Sequence, residues 1–509
     1  MQQEIESVEA ARGALADAND GERESRLTAL LSALLAAFFG LLTAALLAAM
    51  AGFHHWFVIA PLAVLIAFGV RRLLPSESAI PSLSRAAAMG LMLVVVGAVL
   101  SNVVLRSNLV VAGRDGATYA NTAAFLVDGS NLFPDGISEP FSVEDGLSFG
   151  APGFVLRDDG TLWQQFLHST AAAMGFVGEL LGRGAMFSFN AFVSGIGILG
   201  LFALGRRFMG EWWALGAATV MGLSLPYVYY SRGSFAEIAT LTLIAGGLWT
   251  AHAALANQPQ LALGGGLLLG GAAVVRVDAW MIGLALAAFL VTTTWLREQQ
   301  EAWIAGRLFT GFAIAAFIGL LDLALFALPY LTILRSTLIP LLLAVVVVRL
   351  LEPLVRSEAI RSLGDRIQSR PVLVGNVVAT IGGAIILYLW IVRPLLPPAQ
   401  IPVPNGLYGL EAIQIRDGIA VDPSRTYFEQ SVWWLTWYIG LPLTAIGFMG
   451  FVGSLRKSLV RNMAAIRLII LMFAVPALIY LVRPAVNPDQ IWAIRRFTPV
   501  ILPGLVLFA

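Results

Sequence analysis

Long apolar stretches separated by short polar turns set the pattern of this chain. They fall at about 27–50, 53–70, 86–105, 187–205, 211–230, 235–255, 260–275, 279–296, 306–328, 331–350, 371–392, 433–453, 464–482 and 498–509. An apolar run of roughly 20 residues crosses a bilayer as a helix, because hydrocarbon admits only backbone that satisfies its own hydrogen bonds. The pattern predicts an all-α polytopic membrane protein with about 13–14 transmembrane helices. A further interfacial or re-entrant helix is expected around Phe166–Leu181. The last run stops at Ala509, too short to span, so the natural chain is expected to continue beyond it.

One segment breaks the pattern. Arg106 to His168 is the longest polar interruption, carrying Asp115, Asp128, Asp135, Glu139, Glu144, Asp145, Asp158 and Asp159 against Arg106, Arg114 and Arg157. The chain then divides into a cytoplasmic disordered tail (1–26), N-terminal membrane helices (27–105) and an extracytoplasmic catalytic loop with short interfacial helices (106–186). A membrane core (187–392), a second outer loop (393–432) and C-terminal helices (433–509) follow.

Composition narrows the function classes. The 509 residues are 58% hydrophobic and 12% charged, about half the charge of a soluble globular chain. A net charge of +1 with no basic stripe gives nucleic acid nothing to bind. With no cysteine, disulfides and thiolate metal sites are excluded. Residues 1–26 are acidic and Ala-rich and lack the basic start and apolar core of a signal peptide.

Arginine placement orients the helices. With Arg12, Arg23 and Arg26 in the cytoplasm, alternation puts Arg71, Arg206, Arg297, Arg356 and Arg456 in inner loops. The acidic 106–186 segment and the Pro-rich 393–432 segment fall outside. Three short outer elements join them: Ser231–Glu237, Arg276–Asp278 and Arg483–Arg496. Charged side chains thus gather on one face in very short turns, whereas the inner turn Asn257–Gln260 has none. Tyr227, Tyr229, Tyr230, Trp433, Trp434 and Trp437 mark helix ends at the interface.

Each candidate residue has a structural alternative. Asp115 precedes a segment of helical composition, 116–127, and either caps it or acts as a base beside the lipid headgroups. Ser234–Glu237 has the form of a capping box, which would occupy Glu237. Arg276 and Asp278 are placed to pair with each other. Arg232 and the adjacent Arg495 and Arg496 oppose the positive-inside preference, and a phosphate matches the guanidinium fork. His168 is the histidine placed near this face; His54, His55 and His252 lack the carboxylate company of a metal site. Asp322 and Arg335 are the main charges within apolar runs. No nucleotide-binding G-x-x-x-x-G-K-[ST] and no G-x-S-x-G elbow occurs.

Four stretches carry a family resemblance. They are Gly113-Arg114-Asp115-Gly116-Ala117-Thr118-Tyr119; Gly160–Gly182 with Gln165-Phe166-Leu167-His168; Tyr229–Glu237; and Asp489–Pro499. Together with the topology they resemble the GT-C class of integral-membrane glycosyltransferases. The resemblance is in particular to bacterial relatives of the dolichyl-phosphate-mannose protein mannosyltransferases and the lipid A aminoarabinose transferase. Two helices precede the one leading into the Asp115 loop, whereas such enzymes often begin with that helix.

The resemblance implies an inverting glycosyltransferase of the bacterial plasma membrane. It would move a sugar from a polyprenyl-phosphate donor to an extracytoplasmic glycan, lipid or protein. Asp115 would be the catalytic base, its carboxylate partly desolvated with a raised pKa. Arg495, Arg496, Arg232 and Arg276 would hold the donor phosphate, with Tyr119, His168, Glu237 and Asp278 in support. No cofactor is required, and a divalent metal is not indicated. A transporter or flippase of a lipid-linked or small solute is the alternative from another class, and a polysaccharide polymerase or ligase a third.

Overall fold

The computed structural model describes residues 2–76, 83–111, 115–134, 150–396, 410–422, 425, 427–484 and 490–509. Gly113-Arg114, the acidic Asp135, Glu139, Glu144 and Asp145, and Asp489 lie outside the described residues. Among the described residues ten helices are long and apolar enough to cross a membrane, and Trp56–Arg71, Ser169–Leu181 and Pro259–Val275 are shorter apolar helices. The only sheet among the described residues is a two-stranded hairpin. The chain is a multi-pass, helical membrane protein.

The chain forms two compact units. In the first, α1 (Gln2–Met50) and α2 (Trp56–Arg71) form a hairpin, followed by α3 (Arg85–Val104) and α4 (Asp115–Gly129). The strands β1 (Phe154–Leu156) and β2 (Leu162–Gln164) pair antiparallel and lead into α5 (Ser169–Leu181) and the single turn α6 (Arg183–Met186). Then come α7 (Phe189–Gly205), α8 (Glu211–Leu223), α9 (Leu225–Arg232), α10 (Glu237–Ala256) and α11 (Ala262–Val275). The composition of residues 1–26 predicts a disordered tail; instead α1 is helical from Gln2, in keeping with the high helix propensity of Ala and Glu.

The second unit contains α12 (Trp280–Trp295) and the start of α13 (Gln299–Leu325). It takes in most of α14 (Leu328–Leu354), then α15 (Glu358–Gln368), α16 (Pro371–Leu387) and α17 (Leu410–Arg416). It ends with α18 (Ser431–Ile439), α19 (Leu441–Val460), α20 (Ala464–Val482), α21 (Gln490–Phe497) and α22 (Ile501–Phe508). The run at 211–230 splits into α8 and α9, and the run at 433–453 breaks at Gly440, whose φ is +82°.

The glycine-rich α11 is a packing helix. A Cβ on Gly270 would stand 2.3 Å from the Phe312 carbonyl oxygen. One on Gly311 would stand 2.3 Å from that of Leu263, and one on Gly319 2.6 Å from that of Ala273. With little hydrophobic drive between helices in lipid, small residues let backbones approach this closely and gain dispersion contact. This close crossing brings the end of α13, with Asp322, beside the end of α11, which leads into Arg276.

Candidate functional site

Both ends of α10 carry polar side chains, and about 30 Å of helix at 1.5 Å per residue separates them. At its C-terminal end His252 packs edge-on against Phe208, while the half-buried Arg207 lies over Trp249. Its N-terminal end begins with Glu237 and meets the Arg276–Asp278 turn.

Glu237 is fully buried and accepts from Arg276 Nη1 at 2.5 Å. Arg276 also donates to both oxygens of Asp278, at 2.9 and 2.7 Å. The expected pairing of Arg276 with Asp278 forms, but the capping box does not. Ala236 is the N-cap of α10, without a side-chain cap, and Glu237 is drawn to the guanidinium because a buried carboxylate needs a cation. Arg276 therefore faces two carboxylates.

Arg232 is held differently. Its Nε donates to Asn102 Oδ1 and its Nη2 to Ser101 Oγ, both at 3.1 Å. Both partners are neutral and, among the described residues, no carboxylate pairs with it, so α3 orients its positive charge without cancelling it. The turn after it is fixed by Asn190, whose Nδ2 donates to the Gly233 and Phe235 carbonyls at 2.6 and 2.7 Å. The Arg232 carbonyl accepts from the Ser107 amide at 2.8 Å.

Asp115 opens α4 and is half-buried, in the first turn where a carboxylate complements the helix dipole. The next residue, Gly116, lies under the Phe235 ring, where a Cβ would be 3.0 Å from Cζ. This contact seats the Asp115 end of α4 on the Arg232–Glu237 turn. One turn along α4, the buried Tyr119 stacks on Phe166, with ring centroids 5.2 Å apart at 18°. Phe166 in turn meets Tyr330 edge-on at 5.3 Å.

The hairpin closes over α4. Gly153 has φ +84°, and a Cβ there would stand 2.2 Å from Thr118 Oγ1, so no other residue fits this strand entry. Trp163 stacks on Phe133 at 4.3 Å, and Phe133 on Phe326 at 5.8 Å. Two of the acidic loop residues have structural work here. Asp128 pairs with Arg183, and Asp159 accepts from the Thr161 amide and hydroxyl, which hold its carboxyl below the usual range.

His168 is not exposed beside the loop. Its side chain is 1% exposed, and Nδ1 lies 2.6 Å from Oδ1 of Asp322, itself 0% exposed. Asp322 Oδ2 accepts the His168 backbone amide at 2.8 Å. The sequence singles out both residues but gives no signal that they meet, since 154 positions separate them. His54 and His55 also reach this end: His54 Nε2 is 2.9 Å from the Ala172 carbonyl, and His55 Nδ1 is 3.5 Å from Glu179. Among the described residues no three His, Asp or Glu side chains group as metal ligands.

Asp115, Tyr119, His168, Arg232, Glu237, Arg276 and Asp278 thus all belong to the first unit. Arg495 and Arg496 belong to the second, half-buried on α21, with Arg496 6.0 Å from the centroid of the Tyr480 ring.

No family model matches this chain, and no curated relative does. Among solved structures it is similar over 82% of its length to the archaeal oligosaccharyltransferase AglB from Archaeoglobus fulgidus in complex with an inhibitory peptide and a dolichol-phosphate, at 13% identity and a TM-score of 0.44. It is similar over the same share to the apo form of the Archaeoglobus fulgidus oligosaccharyltransferase, at 14% identity and a TM-score of 0.47. The chain spans 50% of the length of each. Likenesses this distant carry no argument about chemistry, which rests on the residues themselves.

Proposed function

We propose that this protein is an inverting glycosyltransferase acting at the outer face of a bacterial plasma membrane, on a polyprenyl-phosphate-linked sugar. The observation that carries the reading is the seating of Asp115 on the turn that presents Arg232, through Gly116 and Phe235. A carboxylate and an uncancelled guanidinium are the two groups such a transfer needs. Asp115 takes the proton of the acceptor hydroxyl as the hydroxyl oxygen attacks the anomeric carbon. Arg232 meets the charge that collects on the departing phosphate. One displacement with one base inverts the anomeric centre. A lipid phosphate is already a competent leaving group, so the reaction as written calls for no cofactor.

Arg276 is less suited to the phosphate than Arg232, because Glu237 and Asp278 already neutralise it; its role is to hold α10 and α11 together.

Asp115→Asn tests the reading. Turnover of a polyprenyl-phosphoryl sugar should fall about 10²–10⁴-fold, while folding and polyprenyl-phosphate binding persist. Asp322 favours a second reading, a solute carrier, since a carboxylate within an apolar helix can mark an ion path. A carrier would be indifferent to Asp115→Asn.

A further inference from the structure

We infer that Nε2 of His168 is a substrate contact, the acceptor for a sugar hydroxyl, held in place by Asp322; this rests on the glycosyl-transfer reading above. The carboxylate of Asp322 is occupied on both oxygens, by His168 Nδ1 at 2.6 Å and by the His168 amide at 2.8 Å. A carboxylate on Nδ1 holds a proton there, so in the neutral imidazole Nε2 carries the lone pair. That atom is buried and, among the described residues, has no hydrogen-bond partner. Interiors rarely keep an unpaired acceptor unless something meets it in the working state.

The surroundings say what would meet it. Two residues before His168, Phe166 stacks on Tyr119, one turn along α4 from Asp115. On the other side Ser169 Oγ donates to the Val274 carbonyl at 2.9 Å, two residues before Arg276. The imidazole therefore lies between the elements that carry the proposed base and the Arg276–Glu237 pair. The rings of Phe166, Tyr119 and Tyr330 on the neighbouring elements suit the apolar face of a sugar ring, and the fixed acceptor suits its hydroxyl rim. A backbone amide and a carboxylate together lock the imidazole, as a contact that must orient a hydroxyl requires.

Two isosteres separate this role from a structural one. Asparagine keeps a donor at the Nδ1 position and so the bond to Asp322, but has nothing at Nε2. Glutamine places an oxygen near Nε2 and loses the bond to Asp322. The full chain in detergent is given a panel of farnesyl-phosphoryl hexoses and pentoses, first with water as acceptor and then with a methyl glycoside. Thermal unfolding of each variant is followed in parallel.

We expect His168→Asn to unfold near wild type yet lose about tenfold or more in kcat/KM, and His168→Gln to unfold earlier yet keep more activity than His168→Asn. A loss already seen with water places the hydroxyl on the donor sugar; a loss confined to the glycoside places it on the acceptor. His168→Asn with wild-type activity overturns the inference while leaving glycosyl transfer intact, and means that a water or nothing occupies Nε2. No turnover by wild type with any probe overturns the glycosyl-transfer reading, and the inference with it.

Discussion

Arg276 and Glu237 meet across 39 positions of chain, one at the end of α11 and the other at the start of α10, with side chains 12% and 0% exposed. The pair is asymmetric, because Arg276 has Asp278 as well. Arg276→Ala takes the cation from a carboxylate with no exposure, and such a loss costs about 3–5 kcal/mol. Glu237→Gln leaves Arg276 its two bonds to Asp278 and should cost about 1–3 kcal/mol. Unfolding in detergent should rank Arg276→Ala well below Glu237→Gln. Equal losses would sink the asymmetry and show that Asp278 does not compensate Arg276 when Glu237 is neutralised.

Gly153 is predicted to control how the hairpin sits on α4. Its positive φ and the 2.2 Å approach of a built Cβ to Thr118 Oγ1 leave alanine no relaxed position. Gly153→Ala should cost about 1–3 kcal/mol in strain, relieved by the hairpin lifting. The Gln165 amide would then lose the Gly153 carbonyl, 2.9 Å away, and its neighbours would become open to protease. Limited proteolysis should cut the variant within 150–165 faster than wild type, and unchanged cutting would count against the close seating.

Arg232 is expected to matter to turnover more than to folding. Its partners, Asn102 and Ser101, are neutral, so removing the guanidinium strands no buried charge. Arg232→Met keeps most of the apolar stem and should unfold within about 1 kcal/mol of wild type. Its turnover should fall about 10²–10³-fold, the scale of losing one preorganised group from a developing anion. Arg232→Lys should recover part of this, since a point charge returns without the planar fork. A variant that turns over normally would remove Arg232 from the phosphate site.

The legible part of the architecture was the part set by local apolar length. Runs such as 86–105 and 464–482 correspond to α3 and α20 because spanning lipid demands length and little else. The gathering of Asp115, Arg232, Glu237 and Arg276 at one end of the first unit was also legible, since helix alternation alone assigns each turn to an end. Pairings were not. Ser234–Glu237 has the spacing of a capping box, yet burial handed Glu237 to Arg276, a choice that depends on α11 lying alongside. His168 and Asp322 each stood out by type, but only the close crossing of α11 and α13 at Gly270, Gly311 and Gly319 brings the second to the first. The glycines of α11 serve this close packing, which depends on a helix far along the chain.

The turn between α1 and α2 should make stability fall in mild acid. His54 is buried, with Nε2 2.9 Å from the Ala172 carbonyl on α5, so the ring donates there as a neutral imidazole. Burial lowers its pKa below the ordinary 6.5, the bond to Ala172 opposing this only in part. The unfolded chain therefore binds a proton near pH 6.5 that the folded chain still refuses, and stability drops as pH falls wherever the unfolded state holds more protons. The loss should begin near pH 6.5, deepen until the folded pKa is reached, and level off below it; above pH 7 the term vanishes. His54→Gln keeps an N–H donor for Ala172 but cannot titrate. Melting temperatures at pH 7.5 and pH 5 should differ more for wild type than for His54→Gln. An equal drop in the two proteins would place the acid sensitivity elsewhere than at this contact.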